Sequence, residues 1–211
     1  MGLIDTYFQK AVKQNQIENE LYRRYNVKKG LRNEDGTGVR IGLTRIADVV
    51  GYTYKDEKKC PIDGKLIYRG YEIRELVENK AYMGFEEVCF LLLFGWLPAK
   101  EELNEFHSVL AASYELPDHF MESNILPTHS PHLMNRLQQM VLALYDYDHS
   151  PEDISPENVL RQGITLLAQM PELITSLFQV KLHYCDRQSL TIHYPQQNLS
   201  IAENILYLLR A

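Results

Sequence analysis

The sequence predicts a multi-helical, all-α protein interrupted by one small β-hairpin near residues 58–69. Three observations carry this. Apolar residues recur at helical spacing in several separate segments, Ser-Pro and Ser-x-x-Glu signals mark helix starts, and one Asp-Gly dipeptide sits between two short runs that suit strands.

Leu3 to Tyr25 is rich in good helix formers, with Tyr7, Ala11 and Val12 near one face, so one or two helices open the chain. From Lys28 to Gly42 the apolar period is lost and glycines accumulate, which predicts a loop. Residues 1–27 are therefore expected to form an amino-terminal helical segment, and residues 28–211 one helical domain. Asp63-Gly64, between Lys58 to Ile62 and Lys65 to Arg69, predicts a type I′ turn, because both of its central residues must take positive φ.

Phe85 to Phe94 is apolar almost all round. Glu86 and Glu87 stand in its first turn and complement the helix dipole, and the segment reads as a buried helix. Leu103, Phe106, Leu110 and Tyr114 line one further helix, and Leu133, Leu137, Met140, Val141 and Leu144 another. Ser130-Pro131 and Ser155-Pro156 each place a capping hydroxyl before a proline suited to a first helical position. Pro171 lies inside the periodic segment Asn158 to Tyr184, which predicts a kink or break near Met170. Ser200-Ile201-Ala202-Glu203 has the form of a capping box and predicts a helix to the last residue.

A formal charge of -6 from 28 acidic and 22 basic residues argues against nonspecific nucleic-acid binding. Cys60, Cys89 and Cys185 are widely spaced and odd in number, which argues against a disulfide scaffold or zinc ribbon and fits a reducing cytoplasm. The first twelve residues lack a basic start followed by a long apolar run, so neither signal peptide nor membrane anchor is expected. Met1 to Thr6 does satisfy the loose myristoylation pattern, which at a start codon occurs often by chance.

Few residues offer chemistry. Gly36 to Gly42 could bring backbone amides and Arg40 to an anion, although the spacing matches neither dinucleotide-binding nor Walker glycine patterns. Arg40 is the best ligand candidate, and a plain surface loop is the competing reading. Arg23, Arg24, Lys28, Lys29 and Arg32 form a basic cluster beside it that suits a solvated face better than a polyanion site. Asp146 to Glu157 imitates calcium-loop spacing but has Pro151 where glycine is needed. His129 and His132 lack a third ligand, no metal is expected, and His107, His183 and His193 read as structural. No nucleophile elbow is present.

Two segments resemble the citrate synthase family. Gly64-Lys65-Leu66-Ile67-Tyr68-Arg69-Gly70-Tyr71, with Ile73 and Leu76, is similar to its G-x-L-x-Y-R-G-Y-x-I-x-x-L segment. Gly84 to Pro98, with Glu102, Leu103 and Phe106, is similar to its helix ending in Gly-x-Leu-Pro. Looser likeness extends through Met134-Asn135, Leu166 to Pro171 and Leu199 to Ile205, so that it spans most of residues 30–210. The family's His-Pro-Met stretch is represented only by Pro131 to Met134, which removes support for His132 as a ligand.

The resemblance implies an acyltransferase of the tricarboxylic acid cycle, a homodimer that condenses acetyl-CoA with oxaloacetate and water to citrate and CoA. It implies no cofactor beyond acetyl-CoA as substrate, and no partnership with nucleic acid or membrane. In that chemistry an aspartate removes the methyl proton while histidines stabilise the enol and polarise the keto group. The family carries those histidines in Leu-His-x-x-His-x-Gly-Gly-Asn and Gly-x-x-His-Gly motifs, which do not occur in these 211 residues. The expectation is an amino-terminal part of the enzyme, inactive alone, with no catalytic residue of its own and with Arg40 reaching CoA held by a neighbouring subunit. A 2-methylcitrate synthase fragment and a noncatalytic helical binding or dimerisation module are the alternatives.

Overall fold

The computed structural model describes residues 12–14, 16–25, 27–28, 30–32, 38, 44–56, 58–78 and 84–210. By contact the chain divides at Thr44/Arg45 into two units. In the first, α1 spans Asn19–Arg24 and ends on Tyr25, whose amide donates back to Leu21 O. Arg32 and Gly38 form an isolated antiparallel bridge.

The second unit opens with β1 (Ala47–Lys55), β2 (Lys58–Tyr68) and β3 (Tyr71–Glu72), an antiparallel sheet in that order. A β element does occupy residues 58–69, but its turns differ from the expected one. Asp63 and Gly64 lie inside β2, where the register jumps between Val50↔Lys65 and Tyr52↔Pro61. The dipeptide is absorbed in a bulge because β1 pairs along almost all of β2. The chain reverses at Asp56, with φ 48°, between Lys55 and its partner Lys58. The pair of positive φ values that a type I′ turn needs falls instead on Arg69 (49°) and Gly70 (94°), joining Tyr68 to Tyr71.

Helix α2 (Ile73–Glu78) follows, then α3 (Phe85–Phe94) and α4 (Lys100–Ala111). Gly95 closes α3 in the left-handed region at φ 102°, its amide donating to Leu91 O. After a single π-helical turn at Met121–Ile125 come α5 (Leu133–Ala143), a 3₁₀ turn at Leu144–Tyr147, α6 (Pro156–Asp186) and α7 (Ile201–Arg210).

The Ser155 hydroxyl accepts from Asn158 N at 3.4 Å, as the sequence predicts. Ser200 and Glu203 exchange both capping-box bonds, Ser200 N to the carboxylate at 2.8 Å and Glu203 N to the hydroxyl at 3.3 Å. The start at Ser130-Pro131 moves two residues on: α5 begins at Leu133, and Ser130 Oγ accepts from His132 N.

Pro171 does not end its helix. Helix α6 runs unbroken for 31 residues, roughly 46 Å at 1.5 Å per residue. Pro171 is itself buried, and tertiary packing on both sides of it outweighs the one backbone bond it removes. The helix serves two cores. Ala168 joins Phe90, Phe106, Leu110, Tyr114 and Ile201, while Leu173, Leu177 and Val180 join Phe120, Ile125 and Met140.

Helix α3 buries one stripe only, against the expectation of full burial. Phe90 and Leu91 are inside, whereas Phe85, Leu93 and the following Trp96 are about half exposed, at 48%, 43% and 51%.

Candidate functional site

Arg40 lies outside the described residues. The other candidates fall at separate structural posts. His129 stacks on Tyr184 at 4.2 Å, and His183 Nδ1 lies 2.8 Å from Gln188 O. His132 stands at the start of α5. Among the described residues no three His, Cys, Asp or Glu side chains are grouped to hold a metal ion.

The acidic stretch after Asp146 is spent locally. Asp148 accepts from Ser150 N at 2.8 Å and pairs with Arg161 at 2.5 Å, and Asp153 accepts from Ser155 N at 2.9 Å. The Ser150 bond, and then Arg161, hold the Asp148 carboxyl below its usual range. These are turn and cap contacts in the place of a cation loop. Burial, with the Glu86 carboxylate adding, pushes the Cys89 thiol up to about 11, so it is no nucleophile near neutrality.

The polar side chains that fasten the two ends of α3 to distant segments carried no sequence signal for these partners. At its carboxyl end, Arg69 donates to Leu92 O from Nε at 3.2 Å and from a terminal nitrogen at 2.7 Å. A fork on a terminal carbonyl satisfies an orphan acceptor and places a cation at the negative end of the helix dipole. The positive φ of Arg69 and the left-handed Gly95 are parts of this one junction; a Cβ on Gly95 would lie 3.9 Å from the guanidinium. The two segments singled out by resemblance thus touch each other.

At the amino end of α3, Glu86 is buried and its Oε1 accepts from Ile201 N at 2.7 Å. Beside it Tyr114 donates to Leu199 O at 3.1 Å, and its phenol is pushed up to about 12 by burial and then by Glu86. Asn204, fully buried, ties down the connection before α7 through Gln196 N (2.8 Å), Gln196 O (3.0 Å) and Leu199 O (3.2 Å).

A second group joins α6 to the connection that follows α4. Glu172 accepts from Leu116 N at 2.8 Å, and Gln169 donates to Glu115 O at 3.1 Å. Arg136 is buried on oxygens that carry no full charge, Asn124 O at 2.9 Å, Thr128 Oγ1 at 2.5 Å and Gln139 Oε1 at 2.5 Å. Between the end of α5 and the first half of α6 lies an open, mainly apolar cavity of about 400 Å³, bordered by Val141, Leu144, Tyr145, Arg161, Thr165 and Leu166.

In chemical terms these groups bind backbone to backbone. Among the described residues, the buried carboxylates Glu86 and Glu172 and the buried Arg136 are engaged in holding helix ends and turns. The fold and this junction define a helical scaffold with a β-ribbon attached at one helix end.

The family model described as "Citrate synthase, C-terminal domain" matches residues 35–211. "Citrate synthase 2" of Bacillus subtilis is 32% identical over 149 residues, which are 70% of this chain and 38% of that protein. "2-methylcitrate synthase 2" of Corynebacterium glutamicum is 34% identical over 172 residues, 81% of this chain and 41% of that protein. The crystal structure of citrate synthase from Pyrobaculum aerophilum superposes with a TM-score of 0.66 at 26% identity, covering 85% of this chain and 44% of that one. This chain belongs to the citrate synthase family. It spans about two fifths of the length of the curated relatives it matches.

Proposed function

We propose that this chain is the amino-terminal part of an enzyme that condenses acetyl-CoA with oxaloacetate and water, giving citrate and free CoA. Its contribution is the scaffold, and the reacting groups belong to sequence that follows. One observation carries this reading: the chain matches the family over residues 35–211, yet neither histidine motif of the reaction occurs in it. The junction of Arg69 with Leu92 O supports the scaffold role, since it gives the quoted motifs a purely structural task.

The test is release of free CoA thiol from acetyl-CoA and oxaloacetate. The 211-residue chain alone is expected to give no rate above background, and turnover by it would overturn the assignment. Translating the coding DNA past Ala211 into the His-x-x-His-x-Gly-Gly-Asn pattern would support it; a stop codon there would favour the noncatalytic module. The similarity to a 2-methylcitrate synthase keeps that reaction as the alternative, and by carbon count it needs propionyl-CoA. The complete enzyme's preference between the two thioesters decides between them.

Arg40 falls within the matched residues and is proposed to reach CoA held by a neighbouring subunit. Arg40→Ala in the complete enzyme is expected to raise KM for acetyl-CoA more than for oxaloacetate. Equal effects on both would remove it from the site.

A homo-oligomer is the proposed assembly. Met134, Leu142 and Ile174 of α5 and α6 are exposed at 68%, 75% and 41%, and packing against a second copy would take such apolar side chains out of water. A compact monomer in sedimentation at tens of micromolar would oppose it. None of the described helices is long and apolar enough to cross a membrane. The cytoplasm remains the proposed location, from the unpaired cysteines, and a complete coding sequence opening with an export signal would refute it.

A further inference from the structure

Glu86 joins two segments 115 positions apart. It stands in the first turn of α3, 5% exposed, and its carboxylate receives the amide of Ile201, the first residue of α7. The neighbouring donors are already satisfied within the capping box, Ser200 N by Glu203 and Glu203 N by Ser200. Glu86 therefore takes an amide that the local sequence leaves without a partner. A carboxylate there also faces the positive ends of two helices, its own and α7. With Arg69 holding the other end, α3 becomes a strut tied to the β2–β3 turn on one side and to α7 on the other.

The first turn of α7 leaves the Ile201 amide without a local partner, so a tertiary anchor is needed to fix that turn and its direction. We infer that Glu86 is a positioning residue, whose carboxylate sets the start of α7 and thereby directs the chain that follows it. Its functional meaning rests on the reading above, which places the reacting groups after α7. The geometric part stands without that reading.

The test is NMR amide exchange on the 211-residue chain. Losing a charge-assisted bond to a buried amide is expected to speed exchange across residues 201–210 by roughly tenfold or more in Glu86→Ala, with Ala168 to Val180 of α6 unchanged. Glu86→Gln keeps an acceptor without the charge and is expected to rescue most of the loss, leaving roughly a threefold rise. The Ile201 amide proton should move upfield in both variants. Tyr114→Phe, which removes the neighbouring bond to Leu199 O, should leave that resonance in place.

Unchanged exchange and an unmoved Ile201 resonance would overturn the inference, as would an equal rise in α6 and α7. If Glu86→Ala does not fold, Glu86→Gln decides by the same criteria. None of these readings depends on thioester turnover, so failure here is distinct from failure of the proposed reaction.

Discussion

Replacing Glu172 by Gln is expected to make the protein more stable at pH 8 and to leave it nearly unchanged at pH 4.5. The carboxyl is 2% exposed, and burial, opposed by the Leu116 amide and reinforced by Glu115, raises it from 4.5 to about 7. The sign follows from proton binding. Between those two values the native state holds a proton that the unfolded chain has released, so stability falls as pH rises through the window. Below the unfolded value both states are protonated and no penalty exists. Above about 7 the whole penalty is present, at about 1.4 kcal/mol per pH unit of displacement, about 3 kcal/mol in all.

Gln keeps an oxygen for Leu116 N and carries no charge, so the variant should lose this slope. Urea unfolding of both proteins at pH 5, 6, 7 and 8 measures the difference directly. Curves that remain parallel across that range would mean that Glu172 is solvated or that its partners rearrange when it ionises.

Phe106→Ala is expected to cost about 3–5 kcal/mol, the range for a large buried aromatic. Phe106 is 5% exposed and its ring meets Phe90 at 5.6 Å and Phe94 at 6.0 Å, both edge to face, so truncation removes ring contacts as well as volume. For a protein of this size the melting temperature should fall by roughly 10 °C. Val109→Ala on the same helix is the control, because Val109 is 50% exposed and should change stability by about 0.5 kcal/mol or less. Similar losses at the two positions would show that Phe106 does not sit in the core assigned to it.

Much of the helical framework was legible because its signals are short-ranged. Ser155 and Ser200 meet partners three residues away, and Phe106 and Leu110 of the predicted stripe do pack inward from α4, whereas Tyr114, buried in the same core, lies past the end of that helix at Ala111. Strand β1 could have been read from Val49, Val50, Tyr52, Thr53 and Tyr54, all good strand formers, but Asp63-Gly64 drew the turn to the wrong place. An Asp-Gly pair permits a tight turn without requiring one, and the longer ladder to β1 prevails.

Of the candidate site, Arg40 was reached through its residue type within a glycine-rich loop and through the family resemblance, and its CoA role is a proposal. The buried polar groups were invisible for a plain reason. Glu86 and Glu87 are adjacent, identical in type and both in a first turn; only packing makes one the partner of Ile201.

The sequence by itself determined the caps at Ser155 and Ser200, the apolar face that carries Phe106 and Leu110, and which family the motifs resemble, since each depends on residues a few positions apart. Tertiary structure decided that α6 passes through Pro171, that Arg69 closes α3 and that Glu86 opens α7. Those outcomes depend on contacts 23 and 115 residues apart and on the burial of the proline, and no local pattern encodes which distant amide or carbonyl a side chain will meet.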